Sequence, residues 1–359
     1  MKVRFEVIPH LLKFRFEAGT SRGSFTEKET WFIKAFIVGN DQVFGLGEAS
    51  PLKGLSEDYS IDYQEFLIKI LKSIEKVEIP ETTEDIQALV SREIPSNLPS
   101  IRFGLETALI DLVNGGIRKL FHTDFFEGKY RMPINGLIWM GDEAFMHQQI
   151  EEKLKAGFNT IKMKVGAINF EQEIALLENI RERYSASDIT LRVDANGAFT
   201  EEDVEGKLMQ LAALDIHSIE QPVKRGQHGL MTRLCASGLL PIALDEELIG
   251  VHDYKTKEEL LNTIKPQYII LKPSLVGGIQ SCREWIKIAE DKGIGWWMTS
   301  MLESNVGLNA IAQFASQYKP NLPQGLGTGQ LYHNNIESPL EIRRGELLYN
   351  SPKAWDIVE

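Results

Sequence analysis

Two lysines two residues apart, Lys162 and Lys164 in IKMKVG, point the same way if that stretch is extended. Side by side, like charges weaken the hold of one ammonium on its proton, and a lysine brought from ~10.4 toward ~7–8 can act as a base. Taken alone, the pair reads as a surface strand with two solvated lysines. Three carboxylates downstream give it another meaning: Asp194 in LRVDANGAF, Glu220 in HSIEQP and Asp245 in IALDEE. A third lysine, Lys272, follows in YIILKPS. Each acid taken alone could simply cap the next helix. Brought together, three carboxylates repel unless a cation sits among them, and an all-oxygen set with no histidine suits Mg²⁺ better than zinc. A metal platform with an ammonium group on either side is what abstraction of a proton next to a carboxylate requires.

Such residues meet only if the chain places them at one face, and the spacing supplies a way. From Asn135 in PINGLIWMG, landmarks at the ends of β-like runs recur at Lys162, Asp194, Glu220, Asp245, Lys272, Ser300 and Gly325. The intervals are 27, 32, 26, 25, 27, 28 and 25 residues, close to the ~30 of one βα unit, and eight units close a (β/α)₈ barrel. The helices between are legible too: Phe170, Ile174, Leu177, Ile180 and Tyr184 share one helical face, and Thr200 with Asp203 resembles a capping box before Val204. An open doubly wound sheet is disfavoured because no GxGxxG turn follows its first strand. In a barrel the strand ends converge, with strands two and six facing each other, so Lys162 and Lys164 stand opposite Lys272.

The first ~125 residues have a different texture, strands and then helices, which predicts an α+β unit. Strand-like alternation covers Lys2 to Val7, Leu12 to Phe16, Thr30 to Val38 and Gln42 to Ala49; helical patterns cover Tyr63 to Val77 and Arg102 to Val113. Between the first strands Gly19 to Gly23, TSRG with its leading glycine, forms a loop whose Ser21 and Arg22 could close over an anionic group. It could also be a plain turn.

A formal net charge of −12 argues against nucleic acid or an anionic membrane as partner. The two cysteines, Cys235 and Cys282, have no metal or redox spacing and read as reduced core thiols of a cytoplasmic protein. No apolar run approaches the ~18 residues of a membrane span.

In order, KMK, DANGAF, IEQP, LDE, LKPSLVGG and SMLESNVGLNAIAQFA resemble the muconate lactonizing enzyme subgroup of the enolase superfamily along essentially the whole chain. The resemblance implies an α/β fold, a (β/α)₇β TIM-like barrel with an α+β N-terminal capping domain. The cap would span 1–128 and the barrel 129–328, with segment 329–359 packing back on the cap. It further implies Mg²⁺, with Mn²⁺ as a substitute, on Asp194, Glu220 and Asp245, with Asn196 and Glu246 beside the metal. Lys164 would be base and then acid, Lys162 would keep it poised, and Lys272 would stabilise an enediolate. Within the subgroup, dipeptide epimerases and cycloisomerases carry an Asp-x-Asp type segment at the eighth strand. Here GLGTGQL, Gly325 to Leu331, offers backbone N–H groups to an anion instead, with Gly327 and Thr328 in its middle. With Ser21 and Arg22, PLKGLS (Pro51 to Ser56) and Ser300, this resembles the o-succinylbenzoate synthase family, which implies dehydration of a small dicarboxylate. N-succinylamino acid racemisation or dipeptide epimerisation on the same scaffold remains an alternative, as does a non-catalytic metal-binding barrel. Homo-oligomerisation is left open.

Overall fold

The computed structural model describes residues 1–20, 23–166 and 169–356. Alternating apolar residues make β1 (Val3–Thr20) and β2 (Gly23–Ile37) one long antiparallel hairpin, paired from Val3↔Ile37 to Thr20↔Gly23 with an irregularity between Lys13 and Ala18. The stretches expected as separate strands around Val7 and Leu12 are therefore continuous. The loop expected at Gly19 to Gly23 is the far end of the hairpin, and Ser21 and Arg22 in it lie outside the described residues. β3 (Asn40–Ala49) completes the sheet.

Three helices follow, α1 (Tyr63–Ile74), α2 (Thr83–Glu93) and α3 (Pro99–Val113). The first and third match the expected helical patterns. The second lies beyond the expected patterns but has its own sequence signal: Thr82 accepts a hydrogen bond from Asp85 N at 3.2 Å, and Ile86, Leu89 and Val90 recur at helical spacing. α3 lies directly on the backbone of β3. A Cβ on Gly47 would fall 1.9 Å from the carbonyl oxygen of Gly104, and one on Gly45 2.0 Å from that of Ala108.

The remainder alternates strand and helix: β4 (Met132–Pro133), β5 (Gly136–Ile138), α4 (Glu143–Lys155), β6 (Thr160–Lys164), α5 (Phe170–Arg183), β7 (Thr190–Asp194), α6 (Val204–Ala212), β8 (Ser218–Glu220) and α7 (His228–Ser237). After these come β9 (Ile242–Leu244), α8 (Tyr254–Ile264), β10 (Tyr268–Leu271), the short α9 (Pro273–Val276), α10 (Gly278–Asp291), β11 (Gly295–Met298) and α11 (Asn305–Ser316). β5 to β11 form one seven-stranded parallel sheet in sequence order. It is buried on both faces, as an all-parallel sheet covered by helices must be. The ring closes through two isolated bridges, Ile134↔Gln324 and Thr299↔Gly325, in place of a full eighth strand. Two landmarks shift: Asn135 precedes β5 instead of ending it, and Lys162 sits in the middle of β6 with Lys164 at its end.

Near the C-terminus, residues 331–334 run along β1, where Tyr332 bridges Phe14 and His333 N donates to Lys13 O at 2.9 Å. The hairpin of β12 (Leu340–Arg343) and β13 (Glu346–Tyr349) pairs with β4. Two buried carboxylates tie the N-terminal unit to the barrel by capping barrel helices. Glu106 of α3 accepts from Ile279 N at 2.6 Å at the start of α10, and Glu48 of β3 accepts from Ser304 N at 2.9 Å and Gly307 N at 2.8 Å at the start of α11. A carboxylate among the free N–H groups of a helix N-terminus satisfies donors that would otherwise be orphaned. Cys235 and Cys282 are buried free thiols, and burial pushes Cys235 up to about 12. Among the described residues no helix is long and apolar enough to cross a membrane.

The packing of β3 on α3 predicts opposite outcomes for two glycines. Gly47→Ala should destabilise the protein by roughly 3 kcal/mol because the clash is with backbone. Gly206→Ala, in α6 with no atom within 4 Å of the added Cβ, should stabilise by about 0.5–1 kcal/mol. Urea unfolding of both variants checks this, and equal stabilities would contradict the packing argument.

Candidate active site

Parallel register does the first part of the assembly. Lys164 is the partner of Asp194, and Asp194 the partner of Glu220, so these three stand side by side at the ends of β6, β7 and β8. Asp245 follows β9 and Lys272 follows β10, each one residue past its strand. Lys162, two residues before Lys164 on β6, points into the same mouth.

The ammonium groups pair with the carboxylates. Lys162 Nζ lies 3.0 Å from Asp194 and also donates to Glu220; Lys164 Nζ lies 3.1 Å from Asp194; Lys272 Nζ donates to Asp245. All six side chains are buried. Burial works against the charge on Lys162, but Asp194 and Glu220 outweigh it and hold its pKa above the ordinary lysine value. Lys272 is raised likewise, burial being overcome by Asp245, Glu220 and Glu246. The lowering expected for at least one member of the Lys162/Lys164 pair thus does not fall on Lys162, because Asp194 and Glu220 stand against its ammonium. For the acids the directions split. Burial and the Asp194 charge push Glu220 up, whereas Asp194, despite its burial, is pulled down by Lys162, Lys164 and Lys272.

Beside this cluster Asn196 bridges outward. Its Oδ1 accepts from Lys164 Nζ at 2.7 Å and its Nδ2 donates to Glu246 Oε1 at 3.2 Å. The backbone is bent to achieve this: Asn196 has φ +45° and Gln221 φ +39°, both left-handed and costly for residues other than glycine. Gln221, overlooked in the sequence as the mere neighbour of Glu220, latches two strand ends. Its Oε1 accepts from Asp245 N and Glu247 N, both at 3.2 Å, while its Nε2 donates to Glu247 Oε2 at 3.0 Å. The signal that could have found it is the motif IEQP itself.

A cavity opens over the cluster, lined by Lys162, Lys164, Asp194, Asn196, Glu220 and Lys272. Its remaining wall includes Ser300 and Thr328, whose hydroxyls hydrogen bond at 2.6 Å. Asp194 and Glu220 are the only acids on this wall among the described residues, so the stretch Gly325 to Leu331 brings no carboxylate to it. Gly327 lines a neighbouring cavity instead. Sequence reasoning missed the apolar part of the wall: Phe25 from the hairpin, Leu52 from PLKGLS, and Leu137, Trp139, Met301 and Leu302 from strand ends. Leu137 and Trp139 alternate along the first barrel strand, which was the available signal. Lys164 Nζ lies 5.8 Å from the Trp139 ring centroid. The bridge Gly19↔Met140 fixes the end of the hairpin beside that strand.

As for a metal, among the described residues no three His, Cys, Asp or Glu side chains converge as a ready cage; the acids are turned onto ammonium groups. The donor set is nonetheless all oxygen, and Glu220 Oε1 is buried with no hydrogen-bond partner. These residues therefore fit a hard divalent cation.

A seven-stranded parallel barrel with acids and lysines gathered at its strand ends, under a cap built on a long hairpin, defines a class of barrel enzymes suited to moving protons next to carboxylates. Residues 146–352 match the family described as Enolase C-terminal domain-like, and the chain belongs to that family, within the enolase superfamily. It is 44% identical over 357 residues to an o-succinylbenzoate synthase of Desulfotalea psychrophila, covering 94% of this chain and 96% of the relative. It superposes on the crystal structure of MenC from the same organism with a TM-score of 0.86 at 40% identity, covering 97% of this chain and 100% of the other. A dipeptide epimerase of Enterococcus faecalis, solved with Mg and a dipeptide, shares the fold: TM-score 0.83 at 22% identity, covering 97% of each chain.

The pairing predicts what removing one cation does. Lys162→Met leaves Asp194 and Glu220 facing each other without their shared ammonium and should cost roughly 3 kcal/mol. Urea unfolding with chelator present checks this. A loss under about 1 kcal/mol would mean that the charges do not support one another.

Proposed function

We propose that this chain is a carbon–oxygen lyase that dehydrates 2-succinyl-6-hydroxy-2,4-cyclohexadiene-1-carboxylate to o-succinylbenzoate, a step of menaquinone synthesis. The observation that carries the reading is the near full-length likeness at 44% identity to an o-succinylbenzoate synthase. The cavity, with lysines on two sides and no additional acid on its wall among the described residues, is chemically suited to an anionic substrate. Asp194, Glu220 and Asp245 would hold Mg²⁺, or Mn²⁺ in its place, supported by the all-oxygen donor set and the orphaned Glu220 oxygen. When bound, the cation supplies neutralisation of the charge that grows on the substrate carboxylate.

The steps that belong to the protein are proton movements. Lys164, in its uncharged form, takes the proton from the ring carbon that bears the carboxylate, leaving an enediolate. Lys272, opposite, stabilises that charge electrostatically. Protonated Lys164 then gives its proton to the departing hydroxide, so that water leaves and the ring becomes aromatic. Lys162, bonded to Asp194 and Glu220, keeps the acids compensated. Asn196, between Lys164 and Glu246, orients the base. Ser300 and Thr328, with Gly327 behind them, would contact the substrate. Buried thiols support a cytoplasmic location.

The test is turnover. Purified protein with Mg²⁺ should form o-succinylbenzoate, and Lys164→Ala and Glu220→Gln should each abolish this while sparing the fold. Glu220→Gln should also weaken Mg²⁺ binding by calorimetry. Activity that survives exhaustive chelation, or an unchanged substrate, sinks the assignment. Lysines on two sides of one cavity would also serve a racemase, so solvent deuterium entering the α-carbon of N-succinylamino acids as fast as dehydration proceeds would favour that reading.

Ser21 and Arg22 are proposed to close the mouth over the substrate's remote carboxylate, supported by the tie of Gly19 to Met140. Loss of one charge-assisted hydrogen bond costs about 1.5–3 kcal/mol, or roughly 10- to 150-fold. Arg22→Ala should raise KM by that factor. Constants unchanged within about twofold, with a lowered Tm, would assign Arg22 to cap stability.

A further inference from the structure

The ring's closure leaves a seam. Ile134↔Gln324 and Thr299↔Gly325 are isolated bridges, and beyond them no strand ladder joins residues 135–139 to residues 327–331 among the described residues. A second cavity fills this seam. Leu137, Trp139 and Thr328 line both it and the cavity over the lysine and carboxylate cluster, and so form the wall between them. The rest of the seam cavity is aromatic on several sides, with Phe16 from the hairpin, Phe145 from α4 and Phe158 before β6.

Two side chains on this wall have a polar group with no hydrogen-bond or ion-pair partner among the described residues. Lys153 of α4 folds its stem against Gly136 and puts its ammonium 5.3 Å from the Phe158 ring centroid. It makes no ion pair within 4 Å among the described residues, and burial lowers its pKa against the opposing charge of Glu152. Its acidic neighbour Glu152, exposed at the rim, accepts from Gln148 Nε2 at 2.9 Å. Asn135, 3% exposed, has a buried Oδ1 with no hydrogen-bond partner. A carboxamide can turn either its oxygen or its NH₂ toward a ligand. A half-buried ammonium with no ion pair and a buried amide with an unused hydrogen-bonding group leave this wall short of partners, and a ligand that supplies them gains on binding.

We propose that the seam cavity is a second ligand site that takes a small aromatic monocarboxylate, its carboxylate on Lys153 and Asn135 and its ring among Phe145, Phe158 and Trp139. One ammonium matches one negative charge. Glu152 at the rim and the net charge of −12 oppose a polyanion. Because Trp139 and Leu137 belong to both cavities, a ligand here presses on the wall of the reaction cavity without entering it.

The probe is 4-bromobenzoate. Crystals soaked with it should show the anomalous bromine peak in the seam, and equilibrium dialysis should give an affinity that Lys153→Met weakens roughly tenfold or more. Methionine keeps the aliphatic packing on Gly136, and Lys153→Arg, which keeps the charge, should hold the affinity within about threefold. Lys164→Ala, in the other cavity, should leave it within about twofold. Bromine found only over Lys162, Lys164 and Lys272, or equal affinities for wild type and Lys153→Met, would overturn the proposal. Dialysis reads binding and not turnover, so failure of the dehydration assay leaves this test intact.

Discussion

Asp194 and Glu220 stand on neighbouring strands with almost no contact with water, and the repulsion between them is met there by the ammonium groups around them. Much of the architecture follows from that condition. Lys162 reaches both acids from β6, Lys164 adds a second contact to Asp194, and Lys272 answers Asp245 from the neighbouring strand end. The cluster is not a set of independent ion pairs, because each side chain's charge state depends on its neighbours'. Replacing such a network with apolar residues would often leave a protein equally stable.

Holding the cluster together falls to neighbouring amide side chains. Gln221 ties the turn after β8 to the turn after β9, and Asn196 ties Lys164 to Glu246, both at left-handed backbone angles. The N-terminal unit is fixed over the mouth by the same means on a larger scale. Glu106 and Glu48 sit at the N-termini of α10 and α11, so cap and barrel share buried, fully used hydrogen-bonding groups. An interface of that kind resists sliding, since any displacement strands donors and acceptors together. Leu52 and Phe25 can then be apolar walls for a cavity whose floor belongs to another part of the chain.

The incomplete eighth strand has two consequences. It lets Gly325 to Leu331 bend into a short turn that sets Thr328 against Ser300, shaping the mouth with hydroxyls where a carboxylate would repel an anion. It also opens the seam beside Trp139, where Lys153 and Asn135 collect.

The sequence by itself determined the barrel and where along it the charged residues fall. Strand ends recur at a period set by the length of a βα unit, so the convergence of Lys164, Asp194, Glu220, Asp245 and Lys272 was readable from spacing, with Lys162 on the same face of its strand. The helices α1, α3 and α5 were readable from apolar periodicity. What the tertiary structure decided were the terms that depend on distances between strands. The sign of the shift at Lys162 is one, because spacing along a strand reveals its like-charged neighbour Lys164 but not how near Asp194 and Glu220 come from the next strands. The latch at Gln221, the apolar wall from Phe25 and Leu52, and the seam closed by two bridges instead of a strand are others. Local patterns record which face a residue takes. They carry no record of which distant residue meets it there, and pair energies in a buried, water-poor mouth change steeply over a few ångströms.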